Sequence, residues 1–369
     1  MNTFQFIRNK IKEKVVSENF KRTIQNFLLI IFFFQFKYGI SYIKGISGHF
    51  NLGMSLINNE WSDLRNYYWS DSPLFHILQK IFQIRNYENY IIFIYITTLF
   101  FLLLISIKIS ELENLSVFFI LSGWLISVSW VVGLVDALIV YLILYNSIDV
   151  IKNKKLDIRN FLINIFLTFN HFAISIFINF ILFTVWTDKK SKKLFFLSTS
   201  YFFGFLINMF YKSLIQFNGE TRMHYLLRPT VIPTLFENNP EVLKYIFFSG
   251  FYGFLPVITL FLYKNFSKNM SKIFIPLLIA MLGSFLAADS SRIFSYLAIP
   301  VILIITFKIK EDLSTRSVNI LTITSIFIVI FFEEYWVIDH LYVFSGSEYG
   351  ADSRILYEVI IEKVRAIFN

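Results

Sequence analysis

Long apolar blocks alternate with short polar ones from one end of the chain to the other. A membrane-spanning helix takes about 20 mostly apolar residues. Blocks of that order fall near 25–43, 90–107, 115–132, 134–149, 194–214, 245–263, 273–289, 292–307 and 317–333. Their spread along the whole chain excludes a soluble domain hung on a single anchor. No small-residue cleavage site follows the first block, so that block is expected to act as an uncleaved insertion signal.

The stretch 160–186 is ambiguous, because it is long enough for one tilted helix or two short ones. Charge decides between them. Lys152, Lys154, Lys155 and Arg159 precede it, and Lys189, Lys190, Lys192 and Lys193 follow it. Basic residues beside spans mark the cytoplasmic side, so both ends belong there and the chain must enter and return. The pattern predicts two short helices, about 158–169 and 172–187, meeting at Asn170 and His171. Such irregular backbone survives in lipid only where protein or a wet cavity surrounds it, which makes the bend a candidate site wall.

The expected fold is an all-α, polytopic helical bundle of about eleven spans, with a broken or re-entrant pair at 158–187. Residues 1–24 form a basic cytoplasmic N-terminus, and 25–333 form the transmembrane domain with outer loops at 44–89 and 215–244. Residues 334–369 form an external tail. Ile355, Leu356, Val359, Ile360, Val364 and Ile367 recur there at helical spacing, as in an amphipathic helix lying on the membrane surface. The polarity implies a multi-pass chain with a cytoplasmic N-terminus and an external C-terminus.

Composition agrees. Hydrophobic residues make up 56% and charged residues only 16%, where a soluble domain is about a quarter charged. The 46 Phe, with abundant Ile, Asn and Lys, look like an AT-rich genome, so aromatic richness alone does not mark a ligand. The net charge of +9 sits mostly beside spans and is explained by orientation in the bilayer, without nucleic acid. The absence of cysteine removes disulfides and thiolate metal sites.

Candidate chemistry collects on the predicted outer side. The segment "NNEWSDLRNYYWSDSPLFH" holds Glu60, Asp63, Arg65, Asp71 and His76 among aromatic rings. Rings stack on the apolar faces of sugars and carboxylates accept hydroxyl protons, although Asp71 or Ser72 before Pro73 also reads as a helix cap. Asp136 lies within a turn of the start of an apolar span, where an acid is either a functional group or a dipole-favoured first residue. Asn170 and His171 occupy the bend. Asp289 and Arg292, in "FLAADSSRIFSYLAIP", can face one another on a helix as an ion pair. Alternatively, Arg292 can hold a phosphate. Arg222, His224 and Arg228 add cations in the second loop. The inner polar segments read as solvated orientation signals. No glycine-rich phosphate loop, no His-Glu-x-x-His and no Gly-x-Ser-x-Gly occurs. Metal-ligand spacing is lacking, so no cofactor is expected and a divalent-cation site is unsupported.

A basic N-terminus, a first span and then a long aromatic and acidic outer loop resemble two kinds of integral-membrane saccharide enzyme. One is the Wzy/EpsG-type O-antigen and exopolysaccharide polymerases; the other is the GT-C glycosyltransferases. The phrase "SDSPLFHILQKIF" is similar to the Pro-Leu segment after the first loop of GT-C enzymes, while Glu60 and Asp63 stand apart where those enzymes often carry an adjacent acidic pair. The resemblance implies transfer or polymerisation of saccharide units from a polyprenyl-(pyro)phosphate carrier at the outer face of a bacterial inner membrane, alongside other polysaccharide-assembly proteins. Phosphates would lie near Arg222, Arg228 and the Asp289–Arg292 pair. Asp63 or Asp136 would be the base, with His171 in reserve. The rival readings are a transporter or flippase, which needs charge deep in the spans, and a non-catalytic scaffold.

Overall fold

The computed structural model describes residues 3–40, 46–60, 72–133, 135–154, 156–185, 190–217, 241–265, 270–285, 289–332, 334–338 and 340–344. Helices dominate them. Among the described residues, five helical runs are, by length and composition, long and apolar enough to cross a membrane: Tyr87–Ile120, Ile158–Val185, Lys192–Leu214, Val242–Lys264 and Ser290–Lys310. This is a multi-pass membrane protein.

Helix α1 (Thr3–Phe32) ends in a π-helical turn, Phe33–Lys37. The predicted loop 44–89 is not a plain loop. It contains α2 (Ile46–Asn58) and α3 (Leu74–Ile81), which pack on each other. Ser72 does not cap α3 as the sequence allowed; its hydroxyl donates to the carbonyl of Asn170 at 2.7 Å.

Helix α4 (Tyr87–Ile109) starts where the Asn86 side chain accepts from the amides of Glu88 and Asn89. Its Ile91, Ile94, Thr98, Leu102 and Ile105 are buried, whereas Ile96, Phe100, Leu103 and Ile107 face out. An outward stripe of large apolar side chains is what lipid, not water, permits.

The chain then returns through α5 (Ser116–Ile120) and α6 (Trp124–Trp130), separated by a turn at 121–123, and enters α7 (Asp136–Ile151). Lys108 and Asp149, near the C-terminal ends of α4 and α7, pair at 3.0 Å, so these helices run in the same direction. Nearly all of α7 is buried, which makes it the centre of the bundle.

Helix α8 (Ile158–Val185) is broken at His171, whose φ of −156° and ψ of 78° are not helical. Ser175 meets Thr168 at 2.6 Å and donates to Asn164 at 3.4 Å. In a straight helix residues eleven apart are about 16 Å apart, so the two halves fold back side by side. The first half runs parallel to α9 (Lys190–Leu214): Phe161 meets Phe196 edge to face, Asn164 donates to Ser200 at 2.6 Å, and Asn208 donates to the Phe169 carbonyl at 2.8 Å. Two consecutive helices can run parallel only if the chain returns between them, and 172–185 is that return. The expected bend at Asn170–His171 is present. We expect Thr168→Cys with Ser175→Cys to form an intramolecular disulfide in this cysteine-free chain, seen by intact mass. Persistence of two free thiols under oxidation would contradict the folded-back geometry.

A second discontinuity lies in α10 (Val242–Phe251) and α11 (Leu255–Asn265), separated by a tight turn at Tyr252–Phe254. Tyr252 takes φ 30°, a left-handed value rare for a bulky residue. The breaks in α5–α6 and α10–α11 meet. The Gly123 amide donates to the Gly250 carbonyl at 3.1 Å, and the Gly253 amide donates to the Leu121 carbonyl at 3.0 Å. Each unpaired backbone group in hydrocarbon costs several kcal/mol, and here the two breaks satisfy one another. The Tyr252 hydroxyl, between the Val329 and Phe332 carbonyls at 3.2 and 2.9 Å, ties the same place to the end of α15 (Thr315–Phe331). Hydropathy alone does not reveal this crossing, because the glycines and serines that make it carry no charge.

Helices α12 (Met270–Phe285), α13 (Ser290–Leu297) and α14 (Ile299–Asp312) complete the bundle. A hairpin of β1 (Glu334–Ile338) and β2 (His340–Phe344) follows α15, with β1 against α10 and α13. The predicted tail begins with these unforeseen strands, and its proposed amphipathic helix lies outside the described residues.

Candidate functional site

Three of the predicted site residues, distant in sequence, come together at one end of the bundle. Asp136 opens α7 and Asp289 caps α13, where its carboxylate accepts from the Arg292 amide at 3.4 Å. Both acids thus sit at the positive ends of helices, where a carboxylate is favoured. Arg292 lies between them. Its Nε is 2.9 Å from Asp289 Oδ2, and its Nη1 is 3.6 Å from Asp136 Oδ2. The Asp136 side chain is only 5% exposed and those of Asp289 and Arg292 17% and 16%. Asp289 therefore fixes the guanidinium by its inner nitrogen, while the outer edge engages Asp136 beyond hydrogen-bond range.

Serines clamp α13 into this position. Ser295 meets Ser127 of α6 at 2.7 Å, and Ser249 of α10 donates to Ser291 at 2.9 Å. Gly250 brings α10 so close that a Cβ there would lie 2.3 Å from the Phe294 ring. Small residues allow this approach between helices in a membrane, and hydroxyl pairs hold it. The fully buried Tyr296, one turn beyond Arg292, lies beside the Asp136 carboxylate. Sequence reading missed Tyr296. Its signal was the spacing of four from Arg292, since a buried tyrosine normally seeks a polar partner.

His171 takes its place at the hairpin tip, where its Nδ1 accepts from the Ile174 amide at 3.4 Å and so caps the returning half-helix. Asn170 spans the same bend, giving its carbonyl to Ser72 and donating its amide to the Phe166 carbonyl at 2.9 Å. Asp63, Arg222 and Arg228 lie outside the described residues, as do Arg65, Asp71 and His224. Among the described residues, no group of three or more histidines and carboxylates is placed to hold a metal ion.

The opposite end carries a network the sequence reading took for solvated charges. Lys108 Nζ contacts Glu111 at 2.9 Å and Asp149 at 3.0 Å, and stands 4.2 Å from the Tyr145 ring centre. Asp149 also accepts from Asn153 and Asn160. Lys310 pairs with Glu113 at 2.9 Å, next to the left-handed φ of 58° at Glu113. These contacts fasten the ends of α4, α7, α8 and α14. Nothing local in the sequence marks Asp149, the last acid of a mostly apolar helix, or Lys108, whose partner is 41 residues away.

No family model, no curated protein and no solved structure matches this chain. The function therefore rests on the site.

Proposed function

We propose that this protein transfers or polymerises saccharide units from a polyprenyl-(pyro)phosphate carrier at the outer face of a bacterial inner membrane. The observation that carries this reading is the buried cluster of Asp136, Arg292 and Asp289, built from three distant points of the chain. In it a guanidinium edge oriented by Asp289 would hold the carrier's phosphate and stabilise the charge of the leaving group. Asp136, across a 3.6 Å gap from the same edge, would accept the proton of the attacking sugar hydroxyl. In this reading the chain makes about eleven crossings, with the N-terminus cytoplasmic and the C-terminus external. The Asp136 end faces out and the Lys108–Asp149 end faces in.

The crossing of two broken helices favours a second reading, a flippase or transporter, because discontinuous helices often line transport sites. Against it, the reciprocal bonds at Gly123, Gly250, Gly253 and Leu121 leave the breaks joined and closely packed. A bundle that rocks about its centre would have to part them.

The test is Asp136→Asn, which keeps the shape and removes the base. With a base contributing on the order of 100-fold or more, surface polysaccharide in the producing strain should fall at least that far. Lipid-linked units should accumulate while immunoblots show normal protein in the membrane. Wild-type polymer levels from this variant would remove Asp136 from the reaction.

A further inference from the structure

His49 of α2 and His76 of α3 are both buried, and the proposed transfer uses neither. His49 Nδ1 and His76 Nε2 stand 3.3 Å apart. The rings are nearly parallel with centres 5.5 Å apart, so the two nitrogens lie between the centres and face each other head-on. One imidazole N–H directed at the other ring's lone pair fits this arrangement, and it requires only one of these two nitrogens to carry a proton. His76 Nδ1 is buried without a hydrogen-bond partner among the described residues.

The pair closes a clasp. Gln79, one turn beyond His76, donates to the Phe50 carbonyl at 3.2 Å and the Ile84 carbonyl at 3.1 Å. Gly53, one turn beyond His49, leaves room for that amide: a Cβ there would lie 1.7 Å from Gln79 Oε1. Lys80 donates to Asn59 at 3.0 Å at the far end. Among the described residues, the titratable groups on the stretches nearest the pair are Lys80 on α3, Tyr87, Glu88 and Tyr90 at the start of α4, and Tyr211 and Lys212 at the end of α9; Tyr95 and Lys108 lie further along α4, and Lys190, Lys192, Lys193 and Tyr201 further back on α9.

We propose that His49 and His76 form a proton-operated clasp, closed while they share one N–H and opened when acid protonates both, freeing α2 from α3. Two imidazoliums cannot face each other at this distance without a carboxylate or water between them. The direction follows from burial, which lowers the His76 pKa to about 4. An opened α3 would return His76 to its usual value near 6.5. Between those values the open form takes up a proton that the closed form refuses. The clasp is therefore complete above pH 6.5 and weakens as the pH falls towards 4. Linkage over this interval gives about 20-fold more opening at pH 5 than at pH 7. This inference stands apart from the saccharide-transfer reading, because it concerns a different pair of side chains and needs no substrate.

The experiment is hydrogen exchange with mass spectrometry on the full-length protein in nanodiscs, at pH 7, 6 and 5, corrected for intrinsic exchange rates. Peptides covering 46–58 and 74–81 should lose protection on the order of 20-fold from pH 7 to pH 5, while peptides of the buried α7 stay protected. In His76→Gln, which retains a polar side chain but cannot be charged, the first peptides should stay protected at both ends of the range. His49→Gln serves the same purpose if His76→Gln does not fold. Three results would overturn the clasp: unchanged protection in the wild type, the same loss in a glutamine variant, or parallel loss in α7.

Discussion

Gly123→Ala should leave little folded protein. A Cβ at this position would lie 1.8 Å from the Ser249 carbonyl oxygen and 2.8 Å from its carbon, with Gly250 Cα at 3.0 Å. All three are backbone atoms, so no side-chain rotation relieves the clash. Moving α10 away would break the Gly123–Gly250 hydrogen bond and strain the neighbouring Gly253–Leu121 bond. Ordinary overpacking costs about 1–3 kcal/mol, and each backbone group orphaned in hydrocarbon adds several more. The sum is comparable with the whole stability of many proteins. Gel filtration of detergent-solubilised variant should show aggregate in place of a symmetric peak. A control at Gly39, where no atom lies within 4 Å of an added Cβ, should behave much better, with only the strain of its φ of 74° to carry. Equal behaviour of the two variants would mean that the crossing does not hold the bundle together.

Lys108→Met should cost roughly 3 kcal/mol, the low end of what breaking a buried ion pair takes. The low end applies because the Lys108 and Asp149 side chains retain 10% and 13% exposure. Removing the ammonium leaves Asp149 to Asn153 and Asn160, and Glu111 to Lys152 at 3.8 Å. The double variant Lys108→Met with Asp149→Leu should regain much of the loss, since a buried pair replaced by apolar side chains is often near neutral. Thermal midpoints of the four proteins of this cycle, in one detergent, give the coupling. Strict additivity would show that the pair is solvated and that the ends of α4 and α7 are held by other contacts.

The legible parts of this molecule are those written in charge and long-range hydropathy. Lysines on both flanks of 160–186 required a return, and the backbone turns at His171. Asp289 and Arg292, three residues apart beside lipid, pair as the spacing implied. Features that depend on small neutral residues were hidden. Gly123, Gly250 and Gly253 stand in apolar blocks that read as continuous spans, and only the approach of a second broken helix gives them meaning. The helices of 44–89 were concealed by aromatic and polar content typical of loops. Their packing rests on His49, His76 and Gln79, which find partners 27 to 29 residues away. The Lys108–Asp149 pair shows the same limit. Each residue alone looks like a boundary charge, and their meeting depends on the parallel course of two helices not adjacent in sequence.

The short reach of α7 bears on how the molecule sits among lipids. Asp136 and Asp149 are thirteen residues apart on one helix, hence separated by about 20 Å along its axis. The hydrocarbon layer of a typical bilayer is about 30 Å thick. In the proposed orientation an upright α7 cannot bring both its carboxylates to the level of the phosphate headgroups at once, and tilt would only draw them closer together along the membrane normal. Surrounding lipids must dimple inward to meet them or neighbouring helices must shield them. A long-chain amphiphile drifting laterally in the leaflet could then present its headgroup to Arg292 from the side, without first being lifted out into water.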